Sequence, residues 1–356
     1  MILRSIVLQH FRNYAQQKFE FDPQVTVVVG VNTAGKTNLT EAIQLLASGR
    51  SFRGKSEKEL VQFDHDIARV QGLVDDDTGK TKLEAIVLTP DANSGRWGKR
   101  FLVNGVAKSR NNFVGHLPLV AFRPEELDIV IAGPSLRRQF LDDVLEIVDR
   151  EYYFASVAYE KALRQRNALL DLVQETGRKN TEQFAYWDNL VIENGKIIHE
   201  KRKEFIAFLN MTSKDVAQFE VVYDHSIISK ERLAQYEAAE IAAGNTLVGP
   251  HRDDFYFLMK QKNEKRDIKL FGSRGQQRLV VLQLKLLQIQ FVTEMLGIKP
   301  LLVLDDIFSE LDSKHIELVL DKTKGQQVIL TTTHKEFIPD KKAISVIELN
   351  KENATI

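Results

Sequence analysis

The sequence predicts an α/β protein, a phosphate-loop head on a parallel sheet with a helical second domain inserted into it. Three observations carry this. An apolar strand, "VTVVVG", runs into the glycine-rich loop "GVNTAGKTN" at 30–38 and then into the helix-forming run "KTNLTEAIQLLAS". From 301 onward, apolar strands again alternate with helical segments, the pattern of a buried parallel sheet. Between them the texture changes to long runs rich in Glu, Lys, Arg, Gln and Leu, all good helix formers. The head is therefore assigned to 1–125 and 249–356, and the helical insertion to 126–248.

Composition narrows the classes. At 356 residues the chain is long enough for two domains, or for one with a large insertion. With 43% apolar and 28% charged residues it has the makings of a real core, which excludes disorder. Lys plus Arg equals Asp plus Glu at 49 each, so any nucleic-acid surface must be created by the fold. The chain has no cysteine, which excludes disulfides and cysteine-bound zinc. No stretch reaches the ~18 uncharged apolar residues of a membrane span, and "MILRSIVLQHFRNY" alternates like a strand, not a signal peptide. A cytoplasmic protein is expected.

Along the chain, "SIVLQHF", "VTVVVG", "ARVQGLV", "KLEAIVL", "RFLVNGVA" and "LPLVAF" read as strands, with a hairpin turn at Asn104-Gly105. Residues 135–175 contain no Gly or Pro and read as one helical arm. The polar break "TGRKNT" and the run 181–211 complete an antiparallel hairpin, with arms of about 50 to 60 Å if unbroken. "DFYFLMK" and "RDIKLF" read as a strand hairpin, followed by a long helix over 275–296.

Gly30-x-x-x-x-Gly35-Lys36-Thr37 is a complete phosphate-loop pattern. Its glycines let the amides from Gly30 through Val31, Asn32, Thr33, Ala34 and Gly35 to Asn38 curl around one anion at a helix start. Lys36 would reach the β- and γ-phosphates of ATP, and Thr37 would place its hydroxyl on Mg²⁺. "LLVLDD" ends a buried strand with two acids: Asp305 for the metal and Asp306 as general base toward water.

"FGSRGQQR", 271–278, opens the long helix and resembles the signature stretch of the ATP-binding-cassette superfamily. Ser273 and the amides of Gly275 and Gln276 can cap an anion there, and the resemblance implies the γ-phosphate of ATP held by a second subunit. "SELD" at 309–312 resembles the family's D-loop, and His334, ending "TTTH", its switch histidine. Arg12 in "HFRNY" resembles the nucleotide-reaching arginine of SMC-like relatives. Together with "LQHFRNY", "GRSFR", "FRPEEL", "GPSLRRQFLD" and "VGPHRDD", these stretches are similar to a bacterial DNA replication and repair family of the SMC-like ATPases.

The resemblance implies an ATP-gated homodimer that binds double-stranded DNA at gaps or single-strand junctions. It also implies weak, DNA-stimulated ATP hydrolysis and cooperation with RecO and RecR in loading the recombinase RecA. Local basic clusters supply candidate DNA contacts: Arg50, Arg53 and Lys55; Lys108 and Arg110; Arg137 and Arg138; Lys201, Arg202 and Lys203. The sequence departs from the wider superfamily at Thr33, at Asp306 where transporters carry Glu, and in "FRPEEL", which has no loop Gln. Two alternatives remain open: a subunit of another ATP-binding-cassette system, and a soluble nucleotide kinase, which would leave "SRGQQR" and "SELD" unexplained.

Overall fold

Alternation in "ILRSIVLQHF" becomes β1 (Ile2–Phe11), which turns its Leu3, Ile6, Leu8 and Phe11 into the core. The computed structural model describes residues 1–53, 57–77, 79–89, 98–261, 264–307, 313–333 and 344–349. It divides into two units, Met1–Glu126 with Gln288–Ile356, and Leu127–Leu287.

In the first unit, β2 (Tyr14–Glu20) folds back on β1, and β3 (Val25–Gly30) leads into α1 (Lys36–Ser48). Next come β4 (Ile67–Asp76), β5 (Gly79–Leu88), β6 (Gly98–Val103) and β7 (Val106–Lys108), then the single helical turn α2 (Arg110–Phe113) and β8 (Leu119–Phe122). The β6–β7 turn puts Asn104 at φ 51° and Gly105 at φ 78°, the left-handed pair expected of Asn-Gly. β2, β1, β4, β5, β6 and β7 form one antiparallel sheet in that order.

The second unit holds α3 (Pro134–Val148), α4 (Arg150–Thr176), α5 (Thr181–Met211), β9 (Glu220–Asp224) and α6 (Lys230–Ala243). β10 (Asp254–Gln261), β11 (Glu264–Asp267) and the turn α7 (Ile268–Phe271) follow. α8 (Arg274–Leu296) then carries the chain back to the first unit. There β12 (Leu301–Asp305), α9 (Ser313–Lys322), β13 (Val328–Thr332) and β14 (Ile344–Leu349) complete a fully parallel sheet ordered β14-β3-β13-β12-β8.

α1 packs on β4 and β5 of the antiparallel sheet and on β12, β13 and β3 of the parallel one. It approaches β4 so closely that a Cβ on Gly72 would lie 2.7 Å from a Leu46 methyl. Gln327 ties the sheets together: its side-chain amide donates to Leu3 O (2.9 Å) and its carbonyl accepts from Leu3 N (2.8 Å).

Three readings of the sequence change. The run 135–175 is two helices, because Asp149 leaves helical geometry to cap α4 through the Tyr152 amide. The strand read in "RDIKLF" stops at Asp267, whose carboxylate caps Lys269 N and starts α7. The second unit runs to Leu287, beyond 248, because β9 pairs with β10. α8 is long and apolar enough to cross a membrane by length and composition alone. It nevertheless carries Arg278 and Lys285 and buries Val280, Val281, Leu284 and Leu287, the profile of a core helix.

Inside the second unit, "VGPHRDD" forms a buried polar knot. Arg202 of α5 donates to Asp142 (2.7 Å), Asp253 (2.9 Å) and the Tyr152 hydroxyl (3.0 Å). Arg137 of α3 grips Asp254 with two parallel bonds of 2.6 and 2.9 Å. His251 donates from Nε2 to Thr246 O (2.9 Å) and accepts the Tyr159 hydroxyl at Nδ1 (2.7 Å). Its burial pushes the imidazole pKa down to about 4. Because the folded value lies below the ordinary 6.5, neutral His251 supports the fold fully above pH 6.5 and progressively less as pH falls toward 4. Up to about 3 kcal/mol should be lost across that window. Urea unfolding at pH 7 and pH 4.5, followed by circular dichroism, should show a smaller pH difference in His251→Asn than in the wild type.

Candidate nucleotide-binding site

The loop between β3 and α1 is shaped by contacts that forbid side chains at its glycines. A Cβ on Gly30 would sit 3.0 Å from both Ala34 Cβ and Leu349 Cβ. Gly35 has φ 100°, and a Cβ there would meet the Tyr14 hydroxyl at 2.5 Å. That hydroxyl donates to Gly35 O (3.0 Å), and burial pushes its pKa up, so it stays a neutral donor. Thr33 adopts φ 75°, a left-handed conformation unusual for a β-branched residue. Val31, Asn32 and Thr33 are exposed at the mouth, whereas Ala34, Gly35 and Lys36 are buried.

The Lys36 ammonium folds back into the loop, donating to Gly30 O (2.7 Å) and Val31 O (3.1 Å). Burial lowers its pKa, and the charges of Asp306 and Asp305 oppose that shift. Lys36, Asp305 and Asp306 are therefore within one electrostatic neighbourhood. The parallel sheet produces this, because β12 lies two strands from β3 and both end at the same rim.

Asp305 is buried and held from two sides. Oδ1 accepts the Thr331 hydroxyl (2.6 Å) from β13, and Oδ2 lies 3.1 Å from the Thr40 hydroxyl of α1. That hydroxyl is also 2.9 Å from Thr37 O and shares its proton between the two. Asp306 has φ 51°, and its amide donates to Thr331 O (3.2 Å) and Oγ1 (3.0 Å). The left-handed turn ends the strand's alternation at the second acid. The half-buried Thr37 opens α1 beside Thr40.

Arg12, also left-handed at φ 53°, makes a two-pronged ion pair with fully buried Glu41 (2.8 and 2.7 Å) and reaches Glu59 (3.2 Å). Ser51 donates to Glu41 (2.5 Å), and Asn38 bridges Asn13 (2.7 Å) and Arg53 (2.9 Å). Sequence reasoning missed Glu41, Thr40, Thr331 and Tyr14. One signal was present: Glu41 falls on the buried stripe of α1, and a buried acid requires a cation.

Ser273, Gly275 and Gln276 open α8 in the second unit, where a reciprocal cap forms. Ser273 N donates to Gln276 Oε1 (2.9 Å), and Gln276 N donates to Ser273 Oγ (3.3 Å). Residues 273–276 are all exposed. A Cβ on Gly275 would meet nothing nearer than Ser273 Oγ at 4.0 Å, and its φ is ordinary, so the chain's own packing does not require glycine there.

Of the basic clusters, Lys108 is exposed on β7, Arg53 is exposed, and Arg50 is half-buried. Arg110 donates to Ser48 O (2.8 Å) at the end of α1, joined there by Lys99 on Gly49 O (3.4 Å). Arg137 and Arg202 are corrected: each is only 4% exposed and locked in the ion pairs described above, so neither can meet DNA. Arg138 donates to Asp253 O, Lys201 pairs with Asp149, and Lys203 is exposed. Lys55, "SELD" and His334 lie outside the described residues.

Residues 2–355 match the model of the family described as RecF/RecN/SMC N terminal domain. The chain is 33% identical over 361 residues to the DNA replication and repair protein RecF of Oceanobacillus iheyensis, covering 95% of each. It is 35% identical over 358 residues to the RecF of Caldanaerobacter subterraneus subsp. tengcongensis, covering 95% of this chain and 96% of that protein. A solved structure described as the recombination mediator protein RecF-ATP in the RecFOR pathway superposes with a TM-score of 0.84 at 34% identity. That match covers 96% of this chain and 93% of the other. An SMC head bound to the winged-helix domain of ScpA, at TM-score 0.52 and 16% identity over 95% of this chain and 91% of that one, shares the fold.

Two substitutions test the loop. Gly35→Ala should destabilise the protein by about 1–3 kcal/mol, through its left-handed backbone and the Tyr14 clash, read as a lower denaturation midpoint. Lys36→Ala should abolish nucleotide binding in equilibrium titration; wild-type affinity in that variant would refute the cradle.

Proposed function

The chain belongs to the RecF family of DNA replication and repair proteins, and from that membership we propose an ATP-gated homodimer acting on double-stranded DNA beside single-strand gaps. Its fold is the SMC-like ATP-binding-cassette ATPase head with a helical second unit. Each composite site would take the loop amides, Lys36, Thr37 and Asp305 from one copy. Ser273 with the Gly275 and Gln276 amides would come from the other.

One observation carries this reading. The start of α8 is an exposed helix N-terminus, suited to an anion, whose Gly275 has no internal reason to be glycine. A glycine there suits close approach of a phosphate from outside the chain.

The residues fit ATP and Mg²⁺. Tyr14, Ala34 and Leu349 pack too closely on Gly30 and Gly35 to admit side chains there, the loop between them is exposed at Val31, Asn32 and Thr33, and Asp305 is a fixed carboxylate beside the helix that begins with Lys36 and Thr37. Mg²⁺ supplies neutralisation of the charge shared by the β- and γ-phosphates. Lys36 would exchange two neutral carbonyls for phosphate oxygens, a charge-assisted contact roughly twice as strong. Thr37 and Asp305 would hold the metal. Asp306 would accept a proton from the attacking water, with His334 at the γ-phosphate. Asp reaches one methylene less far than Glu, which accords with weak hydrolysis, raised by DNA. Arg12 serves the nucleotide end of this reading from its Glu41 pair.

For DNA, Arg50, Arg53, Lys108 and Arg110, with Lys55 by sequence alone, would contact backbone phosphates without sequence preference. Two solved relatives are described as the recombination mediator protein RecF-ATPrS and RecF-ATP in the RecFOR pathway, which supports RecO and RecR as partners; help in loading RecA belongs to the same proposal.

Ser273→Arg should leave ATP binding by the monomer intact while removing ATP-dependent dimers in sedimentation velocity. Dimers of wild-type strength would contradict the shared site. DNA affinity should fall on the order of tenfold or more between 50 and 200 mM salt, measured by fluorescence anisotropy on gapped duplex. A flat response would exclude phosphate contacts.

A further inference from the structure

The turn that precedes α8 is built rigidly, yet it displays apolar side chains. Asp267 caps it through Lys269 N (2.8 Å), Ile268 is fully buried beneath it, and Gln277 reaches back to Ile268 O (3.2 Å). A Cβ on Gly272 would lie 2.6 Å from Ile268 O, so only glycine lets the chain pass directly from this turn to Ser273. With that much fixing, Leu270 is nevertheless 72% and Phe271 55% exposed. The Arg266 guanidinium lies over the Phe271 ring, 5.3 Å from its centre.

Scattered exposed apolar residues are ordinary, but an adjacent pair on a hydrogen-bonded turn, one residue from an exposed helix start, is a different feature. The sequence of the turn itself is rich in cations. Between Lys265 and Arg278 there are five cationic residues and a single acid. Lys265 and Arg266 pair with Glu220 and Glu264, and Lys269 and Arg274 remain exposed beside the apolar pair. A surface that is apolar at its centre and cationic at its edge complements an apolar-edged site rich in negative charge. The phosphate loop is such a site: Val31 at its mouth is 51% exposed, Asp306 stands half-buried within the electrostatic reach of Lys36, and the loaded loop carries a triphosphate.

We propose that Leu270 and Phe271 are the apolar anchor that seats the signature turn of one copy on the nucleotide-loaded phosphate-loop face of a second copy. This rests on the homodimer reading above and deepens it. The phosphate contacts of Ser273 and its neighbours make the dimer depend on ATP, and the anchor supplies much of its strength. Central apolar residues of an interface carry a disproportionate share of affinity. The anchor does nothing for nucleotide binding by a single copy.

Sedimentation equilibrium with ATP and Mg²⁺ on the full chain tests this, alongside titration of a fluorescent ATP analogue at protein concentrations below dimerisation. Leu270→Ser and Phe271→Ser should each weaken the ATP-dependent dimer by roughly tenfold or more. The analogue affinity and the thermal unfolding midpoint should stay at wild-type values, and Phe271→Leu should retain most of the dimer strength. Wild-type dimers in both Ser variants, with dimers lost in Ser273→Arg, would overturn the anchor and leave the shared site standing. No ATP-dependent dimer in the wild-type protein would overturn both. Equal weakening of a dimer that forms without nucleotide would also overturn the proposal, by placing the pair in a contact unrelated to ATP.

Discussion

The confinement of α1 between two sheets is the constraint on which the site depends. Its residues Leu39, Ala42, Ile43, Leu45 and Leu46 are buried, and both sheets press on it. A helix packed on both sides cannot pivot without opening cavities, each costing several kcal/mol. Its first turn is therefore fixed relative to the ends of β3, β12 and β13. Thr40 can reach Asp305 and Glu41 can reach Arg12 only because the helix is held at that depth and rotation. The buried Glu41 is the cost of enclosure, offset by a two-pronged arginine and the Ser51 hydroxyl.

The second unit solves a different problem with a similar device. Its long helices have polar and apolar residues in nearly equal measure, and buried arginines fix their seams alongside apolar residues such as Tyr159, Leu170, Ile198 and Phe205. Arg166 of α4 bonds Asp188 of α5 (2.6 Å), Glu240 of α6 (2.7 Å) and Thr246 (2.8 Å). Arg202 does the same for α3, α5 and the segment before β10. Such networks specify one arrangement, because an arginine that slips by one turn leaves buried carboxylates unpaired.

Much of this was legible in the sequence, and the failures have physical causes. The start of α1, the end of α4 and the start of α5 follow from the glycine loop, Gly177 and Asn180, whose turn chemistry is local. β3, β12 and β13 are apolar throughout because a parallel sheet is covered on both faces. β2 was invisible, since "YAQQKFE" is an edge strand that buries only Tyr14 and Phe19. Arg137 and Arg202 looked like surface charge because a buried arginine and a solvated one share a sequence context; only the distant Asp254 and Asp253 distinguish them. At the site, the motif residues Lys36, Thr37, Asp305 and Asp306 were readable from spacing. Thr331 and Thr40, which aim Asp305, lie 26 and 265 positions from it and carry no motif.

The Tyr14 hydroxyl on Gly35 O makes an inconspicuous marginal strand the fastening of the phosphate loop. Damage at this end of the outer strand would then surface in the phosphate loop, as poor retention of ATP. In a genetic screen, lesions around Asn13 and Tyr14 would mimic lesions in the glycine loop itself. They would be scored as defects of the phosphate loop, although the altered side chains belong to no part of its motif.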